Sequence, residues 1–106
     1  MKDEILSMAG LARRAGRIVS GEFQCEQAIK KGTAMLVLLA GDASENTRKK
    51  FRNMCEYRKI PLCVHGTKES IGEALGCTFR SVAAVTDPGF AQSIEKKYKT
   101  KQETAL

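Results

Sequence analysis

Six consecutive residues, Met35-Leu36-Val37-Leu38-Leu39-Ala40, carry no polar side chain. Neighbouring side chains of a strand point to opposite faces of its sheet, so a strand this uniform must be covered on both sides. The run from Ala34 to Ala40 is far too short to span a bilayer. The chain must therefore wrap helices over both faces of a sheet. Pro61 to Val64 and Ser81 to Thr86, the latter with Val82, Ala83, Ala84 and Val85, supply two more apolar strands. Arg17 to Ser20 supplies a shorter first one.

Helical spacing fills the intervals. Lys2 to Ala15 places Ile5, Met8, Ala9 and Ala12 on one face, with Asp3 and Glu4 where a helix dipole favours acids and Gly16 as a stop. Gly21 to Lys31 follows, with Ser20 expected as its N-cap. Asp42 and Glu45 have the spacing of a capping box ahead of a third helix, whose inner stripe is Thr47, Phe51, Met54, Cys55 and the stem of Arg58. Gly66-Thr67 opens a short helix with Ile71, Ala74 and Leu75, closed by Gly76. Asp87-Pro88-Gly89 reads as a turn before a last helix from Phe90 to about Lys99. Five helices alternating with four strands predict an α/β fold, a three-layer α/β/α sandwich on a four-stranded mixed sheet. One domain is expected over residues 1–100, with 101–106 as a frayed polar tail.

The formal net charge is +6, and its distribution matters more than its size. Through Lys59 there are 12 Lys and Arg against 7 Asp and Glu; from Ile60 onward there are 6 against 5. The asymmetry fits a polyanionic partner met by the N-terminal half, and equally a solvated basic surface. Cys25, Cys55, Cys63 and Cys77 show no C-x-x-C spacing, and buried reduced thiols are the expected state. Acids and arginines interrupt any signal-peptide pattern, so a cytoplasmic location is expected. No metal or cofactor is expected.

Three places carry candidate chemistry. In the corner from Gly21 to Gln27, Cys25, Ala28, Ile29 and Gly32 form a buried stripe. Phe23, Gln27 and Lys30 share the opposite, solvent side, flanked by Gln24 and Lys31. An aromatic ring, amides, ammonium groups and the free N–H groups of a helix start suit an anionic ligand that bears bases. Phe23 packed on a neighbouring loop is the plain alternative. The second place is the Gly41-Asp42-Ala43-Ser44 turn with Arg48, Lys49, Lys50 and Arg52. Asp42 and Ser44 have no histidine near them in sequence to activate them, so capping is their expected role. In the third, Cys77-Thr78-Phe79-Arg80-Ser81, Arg80 either contacts phosphate or closes the loop. His65, the only histidine, is read as structural. No phosphate-loop, dinucleotide, zinc-protease or nucleophile-elbow pattern occurs, which removes the usual reasons to propose an enzyme.

Four segments together resemble the ribosomal-protein L7Ae/L30e superfamily, on its bacterial branch. They are Leu11-Ala12-Arg13-Arg14-Ala15-Gly16-Arg17-Ile18-Val19-Ser20-Gly21; Leu36 through Ala40 with Gly41-Asp42-Ala43-Ser44-Glu45-Asn46-Thr47; Ile71-Gly72-Glu73-Ala74-Leu75-Gly76; and Val82 through Val85 with Thr86-Asp87-Pro88-Gly89-Phe90-Ala91. The resemblance implies the same sandwich and recognition of kink-turn-like RNA, a duplex sharply bent at a bulge beside tandem G·A pairs. It carries binding roles to Gly21, Glu22, Phe23, Gln24, Gln27, Thr78, Phe79, Arg80 and Ser81. Kink-turn binders of the family place Asn-Glu after the glycine-led turn and a lysine three residues later. This chain has Phe23-Gln24 and Gln27, and its nearest ammonium groups are Lys30 and Lys31.

The expectation is thus a non-enzymatic RNA-binding protein, with structured RNA (ribosomal or otherwise kink-turn-like) as partner, ribosomal proteins as further partners and no membrane. Arg17, Lys30 and Lys31 are expected to add phosphate contacts to the same platform. A protein-interaction module docking on a ribosomal or RNA-processing protein through the Phe23 face is the alternative. A recognition domain acting in trans for an RNA-modifying enzyme is a third reading.

Overall fold

The computed structural model describes residues 3–104. The elements, in chain order, are α1 (Glu4–Arg14), β1 (Ile18–Ser20), α2 (Glu22–Lys31), β2 (Leu36–Leu39), α3 (Glu45–Arg58), β3 (Leu62–Val64), α4 (Lys68–Ala74), β4 (Val82–Val85) and α5 (Pro88–Thr104). The sheet order is β1-β4-β2-β3. The two strands with every residue buried, β2 and β4, take the central places, and the less buried β1 and β3 take the edges. Leu36 pairs with Val85 and Leu39 with Val82 in the antiparallel centre, while β3 runs parallel to β2. Helices α2 and α3 cover one face; α1, α4 and α5 form the other layer. The expected three-layer sandwich and mixed sheet are therefore present.

Several local expectations shift. Lys2 lies outside the described residues, and α1 is capped by Asp3, whose carboxylate accepts from the Leu6 amide. The capping-box pair Asp42 and Glu45 does not form. The Ala40–Ala43 turn brings Ser44 to the N-cap of α3, where its hydroxyl accepts from Thr47 N at 3.2 Å. Asp42 instead accepts from the Lys68 amide at 2.8 Å, fastening the starts of α3 and α4 together. A reciprocal capping box does exist, between Thr67 and Ser70 on α4. Asp87-Pro88-Gly89 is a helix start and no free-standing turn. Asp87 accepts from Phe90 N, and Pro88 takes the first helical position, where its missing N–H costs nothing. Residues 101–104 continue α5, so the helix outlasts the expected end near Lys99. Ala105 and Leu106 lie outside the described residues.

The extension of α5 has a cause in the side chains. Lys101 Nζ lies 3.1 Å from His65 Nδ1, and His65 Nε2 lies 2.7 Å from Asp3 Oδ2. An ammonium group can only donate, so Nδ1 accepts and Nε2–H donates to Asp3. Burial works to raise the Asp3 carboxyl, but the Leu6 amide and His65 outweigh it and hold it below its ordinary value. His65 thereby ties β3 to α1 and α5, the structural role read from the sequence.

Cys25, Cys55 and Cys63 are buried and free. Burial pushes the Cys25 thiol up to about 12, Cys55 to about 11 and Cys63 to about 12. Since the thiolate is the reactive form, a disulfide dye near neutral pH should titrate Cys77 quickly and the other three only after denaturation. Fast release of more than one equivalent from folded protein would contradict this packing. Among the described residues no helix is long and apolar enough to cross a membrane, and no group of His, Cys, Asp and Glu is arranged to hold a metal ion.

Candidate nucleic-acid interface

Strand direction decides which side chains meet. Because β1 and β2 both run antiparallel to β4 and β3 runs parallel to β2, the carboxyl ends of β1, β2 and β3 lie together at one end of the sandwich. There the chain turns into α2, α3 and α4, and there the 78–81 loop enters β4. Gly21 N donates to Val82 O at 3.0 Å, and Ala40 N donates to Ser81 O at 2.8 Å. The corner and the loop, 60 residues apart at Ser20 and Arg80, are joined by Arg80 Nε donating to Ser20 Oγ at 2.9 Å.

Gly21 makes the corner possible. Its φ of 93° with ψ of 152° is a conformation essentially confined to glycine. It, and not Ser20, is the N-cap of α2, and no side chain caps the helix. The first-turn amides are left facing outward for an acceptor. Ser20 is free to hold Arg80 because the strand carries it one residue before the cap.

Phe23 is 70% exposed and Phe79 58%, so neither ring is spent on packing against a neighbouring loop. Phe23 follows Ser20 by three residues and Phe79 precedes Arg80 by one, so the two segments that the Ser20–Arg80 bond joins each bring an exposed ring to this end. Gln24 and Thr78 are exposed as well; Gln27 and Ser81 are half-buried. Arg80 closes the loop: its Nη1 donates to Phe79 O at 2.9 Å and its own amide donates to Lys68 O. Glu22 is exposed and also engaged. Thr47 Oγ1 donates to its Oε2 at 3.0 Å, and Ser44 Oγ donates to Thr47 Oγ1 at 2.9 Å. That chain of hydroxyls orients the carboxylate and locks the start of α2 to the start of α3. Ser20 and Thr47 are supporting residues that no local pattern singled out as such, since each acts through a partner at least 25 residues away, whereas Ser44, expected as a cap, caps α3 and also orients Thr47. Arg48, in the first turn of α3, has a buried Nε with no hydrogen-bond partner.

The structure does not bring Arg17, Lys30 and Lys31 to this platform. Arg17 precedes β1, and α2 runs back to the amino end of the sheet before feeding β2. Four residues of extended chain place Arg17 about 13 Å from Gly21, and ten residues of helix place Lys31 about 15 Å from the start of α2. Lys30 is moreover paired with Glu26 at 2.9 Å, while Lys50 reaches the same carboxylate at 2.7 Å. Those two ammonium groups, Lys50 foremost, hold the Glu26 carboxyl down to about 2. The expected single platform is thus two separate regions.

The model of the ribosomal protein L7Ae/L30e/S12e/Gadd45 family matches residues 3–95. The chain is 42% identical over 91 residues, 86% of its length and 91% of the relative's, to the RNA-binding protein YlxQ of Bacillus subtilis (strain 168). It is 32% identical over 95 residues to the RNA-binding protein YlxQ of Enterococcus faecium, covering 90% of this chain and 91% of that one. Among solved structures it superposes with a TM-score of 0.89 and 35% identity on a Bacillus halodurans protein of unknown function, over 92% of this chain and 99% of that one. The fold is also that of the 15.5kD RNA binding protein of Giardia lamblia, at a TM-score of 0.79 and 20% identity, over 94% and 92% of the two chains.

Proposed function

The chain belongs to the ribosomal protein L7Ae/L30e/S12e/Gadd45 family, and from that premise we propose that it is a non-catalytic RNA-binding protein of structured, kink-turn-like RNA, working at the ribosome. The observation that carries the reading is the pair of exposed rings, Phe23 and Phe79, on the two segments that the Ser20–Arg80 hydrogen bond joins. Bases of a folded RNA that are splayed out of their helix find there two stacking faces. The uncapped amides of the first turn of α2 donate to phosphate oxygens or base acceptors, and Gln24 both donates to and accepts from a base edge. Glu22, oriented by Thr47, is a fixed acceptor beside them.

The test compares a kink-turn RNA with a plain duplex of equal length. Gln24→Ala is expected to weaken the kink-turn complex about fivefold, the worth of roughly one hydrogen bond, and to leave the duplex complex unchanged. Equal losses on both RNAs would remove Gln24 from base recognition. Amide signals of residues 21–27 and 78–82 should move on titration with the kink-turn RNA at low salt. If they stay in place while a nuclease-treated extract yields a salt-insensitive protein partner that Phe23→Ala abolishes, the face is a protein-docking surface instead.

A further inference from the structure

The amino end of the sheet holds what the Phe23 face lacks. Arg13 and Arg14 close α1, Arg17 precedes β1, Lys30 and Lys31 close α2, and Arg58 and Lys59 close α3. All seven are exposed. Glu56 and Asp87 are the acids on the same segments, and Asp87 is occupied as the cap of α5. Glu73 lines a groove with Arg14 on the α4 side. At the opposite end, Glu22, Asp42, Glu45 and Glu69 offset Arg48, Lys49, Lys68 and Arg80. The excess positive charge of the chain therefore gathers on the face away from Phe23.

Basic residues at helix ends are explained in part by the helix dipole. Two of the seven are used inside the molecule, Lys30 on Glu26 and Arg58 on the Ile29 and Lys30 carbonyls at 3.4 Å. Arg13, Arg14, Arg17, Lys31 and Lys59 make no ion pair among the described residues. At the same end, in the layer of α2 and α3 with Lys31 and Lys59, stands Tyr57, 85% exposed, sharing a groove with Ile29, Gly32, Ala34, Arg58 and Ile60; Arg13 and Arg14 belong to the other layer and Arg17 to the β1 edge. Helix-end electrostatics does not account for an aromatic ring left bare on an end of the sandwich that also carries five unpaired cations. Unpaired cations and a free ring on one end of a molecule are the chemistry that meets a nucleic-acid backbone with an unstacked base.

We propose that this end is a second RNA-binding surface, in which Arg13, Arg14, Arg17, Lys31 and Lys59 contact the phosphodiester backbone and Tyr57 stacks on a base, so that one protein holds two segments of a folded RNA. The surface rests on its own residues and does not require the Phe23 reading. It predicts that affinity depends on RNA reaching across the molecule, whose extents are 34 × 31 × 27 Å.

The experiment uses the full chain with two RNAs: a compact kink-turn, and the same kink-turn with a helical arm long enough to reach the far end. Replacing Arg13, Arg14, Arg17, Lys31 and Lys59 with Gln should weaken the armed RNA at least tenfold at low salt and lower its log–log salt slope by about 0.7–0.9 for each phosphate that is no longer neutralised. The compact RNA should change less than threefold. Tyr57→Ala should cost the armed RNA about tenfold. On the wild-type protein, the armed RNA should shield Lys31 and Lys59 from acetylation and the compact RNA should not, a measurement that stands even where the Gln variant folds poorly. An unchanged slope with unshielded lysines, equal losses on both RNAs, or equal displacement by polyglutamate would overturn the proposal. Phe23→Ala separates the two readings: loss of compact RNA there tests the first surface and says nothing of the second.

Discussion

Replacing Phe23 and Phe79 together by alanine is expected to weaken binding of structured RNA by about 2–6 kcal/mol, the worth of two base stacks, which is roughly thirtyfold at least. The rings are 70% and 58% exposed, so the folded protein loses little when they go. Exposed positions of this kind change stability by about 0.5 kcal/mol or less. No charge is removed, and the salt dependence of binding should keep its slope. The pattern is the reverse of that expected for the basic end, where slope falls with affinity. Binding isotherms at several salt concentrations, with a thermal melt of the double variant, measure both quantities. A loss under threefold would show that the rings do not meet RNA. A matching fall in melting temperature would show that they serve packing.

The second large effect is expected at Gly72. A Cβ built there would lie 2.4 Å from Thr78 O, 2.7 Å from Thr78 C and 3.0 Å from Phe79 Cα. Every one of these atoms is backbone, so no side chain can rotate away. Alanine would favour the helix by about 1 kcal/mol on propensity alone, but the overlap drives the 78–81 loop off α4 at a cost of up to about 3 kcal/mol or more. Gly72→Ala should therefore destabilise the protein by about 2 kcal/mol, or about 10 °C in melting temperature. The loop is also where Cys77 N bonds Gly72 O and Arg80 N bonds Lys68 O, so its displacement carries Phe79 and the Arg80–Ser20 tie with it. RNA affinity should fall together with stability, unlike the Phe23–Phe79 variant. Denaturant titration and amide shifts at residues 77–82 test this. A stabilised variant with unmoved shifts would mean the close approach is absent.

The fold was legible because its strongest signals are local. The run from Met35 to Ala40 requires cover on two faces, and it became the central strand β2. The Ser20–Gly21 corner was legible for the same reason, since only glycine adopts the φ found at Gly21 without strain. Caps were less so. Several side chains near a helix start compete for the same amides, and Asp42 lost its place to Ser44 when the preceding turn set the entry angle. Gly72 was read as part of a family segment, and the backbone it must admit lies six residues further on.

The residues of the Phe23 corner, the 78–81 loop and the basic clusters were all visible in the chain. Apolar spacing and turn chemistry determine which segments are helices and strands, because those effects act within a few residues. Tertiary structure alone decided which clusters share a face. Strand order and direction are set by pairings dozens of residues apart, and reversing the chain through α2 carried Lys31 to the end opposite Gly21. Position along a sequence records neighbours on the chain, whereas a binding surface is defined by neighbours in space.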